Sequence, residues 1–124
     1  MKRILAILAC FSGCVYAQPV EIARTDDGDV WYGYPKTLIV THDKYAFLSE
    51  LRNSHSTSHI FLAIDVKSCI NGKGNLYGKV TPNATWQTVD IVDVTRQSSV
   101  SSVIASVLCS VGDERSHKIL QKMT

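Results

Sequence analysis

Four cysteines constrain this 124-residue chain more than any other feature, because two of them lie in an apparent leader segment and two lie far apart beyond it. Removal of the leader leaves Cys69 and Cys109 as the one remaining pair. In an oxidising compartment such a pair is expected to form a disulfide. The bond would close a loop of roughly 40 residues and contribute on the order of 4 kcal/mol to stability. The alternative is two reduced, buried thiols.

The first 17 residues have the features of a secretory signal peptide. Basic residues at positions 2 and 3 precede a short apolar segment, and Val15-Tyr16-Ala17 supplies the small-x-small pattern of a cleavage site. Cleavage after Ala17 is the favoured interpretation. Ser12-Gly13-Cys14 supports an alternative, a bacterial lipoprotein signal in which Cys14 is acylated. The apolar run is too short to span a bilayer, so the sequence predicts an exported protein that is either free or anchored through a lipid at Cys14.

The charge balance of the predicted mature chain argues against nucleic acid as a partner. The full chain has 13 basic and 11 acidic residues, and loss of Lys2 and Arg3 leaves 11 of each. A protein that binds phosphates is expected to keep a basic excess on one face. About 107 mature residues suit a single domain. We place this domain at 18–112, followed by a polar tail or short helix at 113–124.

The dominant pattern of the mature chain is that of β-strands, with short runs of Val, Ile, Thr, Tyr and Phe separated by Gly, Asn, Asp and Pro. Hairpin turns are predicted at Asp26-Asp27-Gly28-Asp29 and at His42-Asp43. Pro35 is expected to interrupt the ladder between them. The predicted elements are an antiparallel meander of about six or seven strands, at 20–25, 30–34, 37–41, 44–52, 59–69, 76–80 and 86–94, with a loop at 71–75.

After Thr95 the apolar residues recur at helical spacing, which predicts an amphipathic helix whose apolar stripe covers the sheet. Ser98 or Ser99 is its expected N-cap, and Gly112 is its expected end. A bond between Cys69 and Cys109 would join the last helical turn to the end of the central strand. The predicted fold is therefore α+β, an antiparallel sheet of about six strands with a C-terminal helix packed on one face and tied by a disulfide.

Three aromatic residues of one short strand are the candidate partner-binding residues. Because side chains alternate along a strand, Trp31 faces away from Tyr32 and Tyr34. One of these two sides is expected to pack beneath the helix. The other is expected to be exposed and suited to a protein partner or a dimer interface.

No catalytic or metal-binding site is predicted. His55 and His59 are four residues apart, but the stretch between them is serine-rich and offers no third ligand. Ser56, His55 and Asp65 can be combined as a triad on paper, yet no nucleophile-elbow motif accompanies them. The aspartates of the first turn lack the spacing of a calcium loop. We therefore expect a chain without enzymatic activity and without a cofactor.

Four features of the chain occur together: the predicted leader, the aromatic strand Val30-Trp31-Tyr32-Gly33-Tyr34, the segment Ile64-Asp65-Val66-Lys67-Ser68-Cys69, and a serine-started helix that ends in Leu108-Cys109. In these features the chain resembles the surface-adhesin protein E family of small exported bacterial proteins. The resemblance covers roughly residues 20 to 110. It implies an antiparallel sheet with a C-terminal helix fastened by that disulfide. Arg96-Gln97-Ser98 departs from the Pro-Gly-Ser entry that is usual for the family's helix, and the segment after Cys109 is long.

The resemblance implies a surface protein that binds host extracellular-matrix and plasma proteins, and the type member of the family is a dimeric lipoprotein. The expected function is therefore a non-catalytic, exported bacterial binding protein that contacts another protein through an exposed sheet face or edge. Its expected location is the periplasm or the cell surface, and its only link to the membrane would be the lipid anchor. The alternative is a soluble periplasmic inhibitor or accessory subunit of an envelope complex, and a small hydrolase ranks last.

Overall fold

A computed structural model of the chain describes residues 18–123 and shows an α+β fold, as predicted. The predicted leader, with Cys10 and Cys14, lies outside the described residues. Six strands form one sheet in which every neighbouring pair is antiparallel and the strand order follows the sequence. The elements are β1 (Val20–Arg24), β2 (Val30–Val40), β3 (Lys44–Arg52), β4 (Thr57–Asp65), α1 (Val66–Asn71), β5 (Lys73–Lys79), β6 (Gln87–Asp93) and α2 (Val100–Met123).

The first turn of the sheet forms where the Asp-Gly pair predicts it. Gly28 has a φ of 94°, a conformation that glycine adopts without steric cost. Its N–H donates to Thr25 O at 3.1 Å, and Thr25 N–H donates to Asp29 O at 2.9 Å. These two hydrogen bonds pair backbone groups at the tip of the hairpin between β1 and β2. The aspartates at this position are therefore turn residues.

Pro35 interrupts the ladder as predicted, although the two strands predicted on either side of it form the single strand β2. Tyr34 pairs with Leu48 and Ile39 pairs with Ala46, and none of the four residues between Tyr34 and Ile39 has a partner in the register with β3. The Thr37 hydroxyl bridges the irregularity, since its Oγ1 accepts from Leu48 N at 2.8 Å. A side chain thus replaces part of the backbone ladder.

The strand predicted to run to Cys69 ends at Asp65, and α1 begins at the next residue, Val66. The prediction of a strand is therefore wrong for its last four residues. Period-two alternation cannot distinguish a six-residue helix from the end of a strand. Asp65 remains extended, with φ −70° and ψ 138°, and Gly72 ends α1 with a φ of 92°. Cys69 therefore lies on a short helix, and its disulfide joins two helices.

The loop predicted at 71–75 is also wrong, because β5 already begins at Lys73. The Gly-rich and Asn-rich composition indicated a loop, but Gly74 pairs with Val92 of β6. A Cβ atom at Gly74 would lie 1.9 Å from Ser68 Oγ. Glycine is required here because α1 packs directly on the strand.

Helix α2 begins as predicted but does not end at Gly112. Ser99 Oγ accepts from Ser102 N at 3.1 Å, so Ser99 caps the helix. Gly112 is buried against the ring of Tyr45, where a Cβ atom would lie 2.2 Å from Cγ. The glycine allows close packing of helix on sheet, and the predicted end is wrong. The stretch predicted as a polar tail or short helix continues α2 to Met123.

The core lies between α2 and one face of the sheet. A disulfide joins Cys69 of α1 to Cys109 of α2 at the edge of this core, with an S–S distance of 2.00 Å. This bond confirms the predicted pairing. Neither helix of the described residues is long and apolar enough to cross a membrane. The buried residues of the core cluster are Tyr45, Phe47, Leu62, Ile64, Leu76, Val92, Ile104, Ala105, Leu108 and Cys109.

Candidate functional site

The two faces of the sheet have different surroundings. The face that carries Tyr45, Phe47 and Leu62 packs against α2, and we call it the covered face. The residues between them along each strand point to the opposite side. This side, which we call the open face, is formed by strand side chains and does not contact the apolar residues of α2 that build the core cluster.

The aromatic strand places its side chains on both faces. Trp31 is partly buried and packs against the core cluster on the covered face. Tyr32 pairs with Glu50 and Tyr34 pairs with Leu48, so both tyrosines lie on the open face. Of the three aromatic candidates, the structure therefore leaves Tyr32 and Tyr34 on the side that α2 does not cover.

A carboxylate at the centre of this region organises the neighbouring side chains. Glu50 of β3 is 3% exposed, and both of its oxygens have partners. The Tyr34 hydroxyl donates to Oε1, and Arg52 Nε donates to Oε2. His59 Nε2 lies 3.0 Å from Oε1 and must be the donor, since an ionised carboxylate accepts only. We call Tyr32, Tyr34, Glu50, Arg52 and His59 the Glu50 cluster.

The outer members of the Glu50 cluster remain accessible although its centre is buried. The side chains of Arg52 and His59 are 46% and 52% exposed. The Arg52 guanidinium carbon lies 4.4 Å from the ring centroid of Tyr32, which is a cation–π contact. Tyr32 and Arg52 therefore form one surface, which Glu50 holds in place from below.

Electrostatics keep Glu50 ionised. The hydrogen bond from Tyr34 lowers the pKa of the Glu50 carboxyl, and Arg52 and His59 lower it further against the opposing effect of burial. The same bond, together with burial, raises the pKa of the Tyr34 hydroxyl. A general acid at neutral pH needs a raised carboxyl pKa. The arrangement instead suits a structural carboxylate that fixes the orientation of three donors.

The structure separates the residues that can be combined on paper as a triad. His55 and Ser56 lie in the turn between β3 and β4, where their N–H groups donate to Asn53 Oδ1 at 2.9 Å. Asp65 is at the far end of β4, roughly 25 Å away by the rise of a strand. Within the described part of the chain, no group of three His, Cys, Asp or Glu residues is arranged to hold a metal ion.

Sequence reasoning identified Tyr32 and Tyr34 but did not identify Glu50, Arg52 or His59 as their partners. The signal that could have found them is the hairpin register, because a short turn after Arg52 places His59 directly opposite Glu50. An acidic residue that follows an apolar run within a strand also indicates a buried carboxylate that needs donors. Both signals depend on pairing across strands, which a single-strand pattern does not contain.

Comparisons of the chain with models of known protein families, with curated proteins and with solved structures give no match.

Proposed function

We propose that this chain is an exported, non-catalytic binding protein that contacts another protein through the open face, with the Glu50 cluster at the point of contact. The observation that carries the proposal is the pairing of Tyr32 with Arg52 on the uncovered face, above a buried carboxylate. Tyr and Arg are among the residue types that contribute most to protein–protein affinity. Their placement at one site favours a contact surface.

The rigidity of the Glu50 cluster supports the same proposal. Binding is opposed by the ordering of long side chains, and this cost falls when they are already fixed. Arg52 Nε donates to Glu50, and the guanidinium carbon of Arg52 lies over the Tyr32 ring. Arg52 is thus held by both residues. Tyr34 is held through its hydroxyl. A partner would therefore meet a surface that is already ordered.

The disulfide supports export, since such bonds persist in oxidising compartments. We propose the bacterial periplasm or cell surface as the location. Intact mass of the native protein, before and after reduction, tests this. A mass that begins at Gln18 indicates a free form, a diacyl or triacyl increment at Cys14 indicates an anchored form, and a mass that retains residues 1–17 would contradict export through this leader.

Resemblance to the surface-adhesin protein E family makes host extracellular-matrix and plasma proteins the first partners to test. The oxidised protein is passed over immobilised preparations of these proteins, and retention is compared with that of Tyr32→Ala and Arg52→Ala. We expect retention of the parent chain and a loss of at least about tenfold in affinity for either variant. Glu114→Ala, an exposed change on α2, is the matched control and should bind as the parent does.

Thermal unfolding of the same proteins separates binding from folding. Because Tyr32 contacts Arg52 at the surface of the cluster, Tyr32→Ala should change stability by about 0.5 kcal/mol or less beyond the loss of that contact. Arg52→Ala also removes the donor to Oε2 of the buried Glu50 and should lower stability by about 1–3 kcal/mol. Equal retention of all variants would contradict a contact at the Glu50 cluster. Absence of retention for the parent chain on every preparation would contradict adhesion and favour the periplasmic inhibitor.

A further inference from the structure

The open face has a second feature, a groove of about 340 Å³ at a distance from the Glu50 cluster along the sheet. Its floor is Ala46, whose small side chain pairs with Ile39 on one side and with Ala63 on the other. Its walls are Ile39 on β2 and Trp86 in the segment before β6. We call it the Trp86 groove. The small side chain of Ala46 beside the large side chain of Ile39 leaves a depression in this part of the open face.

The walls of the Trp86 groove are apolar and accessible. Ile39 is 58% exposed, so more than half of its surface is open to solvent. Trp86 is partly buried and lines the groove. A volume of this size is within the range of small-ligand and side-chain pockets. The groove can therefore accept one apolar side chain from a partner.

One end of the groove carries a cation that lacks a carboxylate. Lys79 Nζ lies 4.3 Å from the ring centroid of Trp86 and donates to Pro82 O at 3.1 Å. It forms no ion pair with any carboxylate in the described part of the chain. The Trp86 ring and the carbonyl hold the ammonium in place at the rim, where it can donate a further hydrogen bond to an external carboxylate.

The charges at the other end of the groove are already paired. Lys44 Nζ lies 3.0 Å from Asp65 Oδ1 and 3.8 Å from Asp43 Oδ2. Asp43 also accepts from the Thr41 hydroxyl at 2.8 Å. The hydrogen bond from Thr41 has the largest effect and, together with the charge of Lys44, lowers the pKa of the Asp43 carboxyl and keeps it ionised. An anionic ligand is therefore directed to Lys79 and away from this end.

We propose that the Trp86 groove binds a segment of a partner protein in which an apolar side chain is followed by a carboxylate. The apolar side chain occupies the space between Ile39 and Trp86, and the carboxylate pairs with Lys79 Nζ. The inference rests on the proposed binding function and names the chemistry of one part of the partner. It adds a specificity site to the open face that is separate from the Glu50 cluster.

Peptide titration tests the groove without knowledge of the partner. The probe is acetyl-Ser-Phe-Glu-Ser-amide, added to the oxidised, ¹⁵N-labelled protein and followed by two-dimensional NMR. Two matched peptides replace Glu by Gln or Phe by Ser. We expect the probe to shift the amide signals of Ile39, Ala46 and Lys79 and the indole signal of Trp86. We expect the Gln peptide to bind about three- to fivefold more weakly, as for a partly exposed ion pair.

Substitution of Lys79 completes a double-mutant cycle with the peptides. In Lys79→Gln, the Glu and Gln peptides should bind with equal affinity, because the cation that distinguishes them is gone. Lys67→Gln, an exposed lysine on α1, is the control and should retain the preference for Glu. The comparison among peptides uses the unaltered protein, so it remains decisive even when a variant folds poorly.

Several results would overturn the inference. They are equal affinity for the three peptides, a preference for Glu that persists in Lys79→Gln, signal changes located outside the groove, and no signal change at millimolar probe. None of these results concerns the retention of the protein on immobilised matrix and plasma proteins through Tyr32 and Arg52. Conversely, failure of retention on matrix proteins with a positive titration would contradict adhesion and leave the groove established.

Discussion

The covered face and the open face of this sheet are ordered by different forces. On the covered face, apolar side chains of α2 pack on the sheet, and the disulfide fixes the helices to each other. On the open face, the buried carboxylate of Glu50 orders its neighbours through hydrogen bonds. Under the proposed function, the two faces would separate stability from binding. Changes to the covered face should affect folding, and a change of Tyr32 on the open face should affect binding.

Loss of the disulfide should give the largest effect on stability. Cys69→Ala combined with Cys109→Ala removes the constraint on a loop whose ends are 40 residues apart in sequence. We expect the free energy of unfolding to fall by about 4 kcal/mol in urea denaturation. The reduced parent protein is the matched comparison and should unfold at nearly the same urea concentration. A loss below about 1 kcal/mol would show that the covered face does not depend on this bond.

Gly112→Ala tests how closely the helix approaches the sheet. An added Cβ would meet the ring of Tyr45, and we expect a loss of about 2–3 kcal/mol from overpacking. At an exposed helical site the same change raises stability by up to about 1 kcal/mol. Whether Gly112→Ala lowers or raises the free energy of unfolding is therefore the result that decides. Ser110→Ala, at an exposed position of the same helix, should be neutral or stabilising, and a gain in stability for Gly112→Ala would contradict close packing.

Glu50→Gln tests the hydrogen-bond network of the open face. The amide keeps the shape of the carboxylate but loses its charge and presents a donor to groups that are themselves donors. We expect stability to fall by about 2 kcal/mol and the cation–π contact of Arg52 with Tyr32 to loosen. Glu114→Gln on the exposed side of α2 is the control, with no expected change. Equal stability of the two variants would mean that Glu50 does not organise its neighbours.

The pH dependence of stability gives the smallest and most specific effect. Because the pKa of Glu50 is lowered from its usual value of 4.5, the folded protein favours the ionised form more than the unfolded chain does. Its contribution is fully present above the unfolded value and is lost as pH falls through the lower, folded value. The stability difference between the parent and Glu50→Gln should therefore narrow below pH 4.5. A difference that stays constant from neutral to acidic pH would contradict this assignment.

Much of the fold was predictable because its signals are local. The Asp-Gly pair located the first turn, period-two alternation located the strands, and the two cysteines outside the predicted leader indicated the disulfide. The errors at Gly74 and Gly112 have a common cause, because each glycine is placed by the packing of one element on another, α1 on β5 and α2 on Tyr45. The error at Cys69 has a different cause, since alternation does not distinguish a six-residue helix from the end of a strand. A local pattern assigned Gly112 to a helix end because it carries no information about the ring that the glycine contacts.

The candidate site was predictable to a smaller extent. Alternation correctly separated Trp31 from Tyr32 and Tyr34, since it depends on one strand alone. The partnership of Tyr34 with Glu50 and His59 depends on the registers of three strands. The Trp86 groove also depends on the pairing of Ala46 with Ile39. Such sites require the sheet to be assembled before their residues become neighbours.

The most direct test of the open face as a binding surface is hydrogen–deuterium exchange of the protein in complex with the matrix or plasma protein that retains it. We predict slower exchange on binding in the segments of β2 to β4 around Tyr32, Arg52 and His59, with exchange in α2 unchanged. Slower exchange confined to α2 or to β6, or no change in any segment of the open face, would contradict the account.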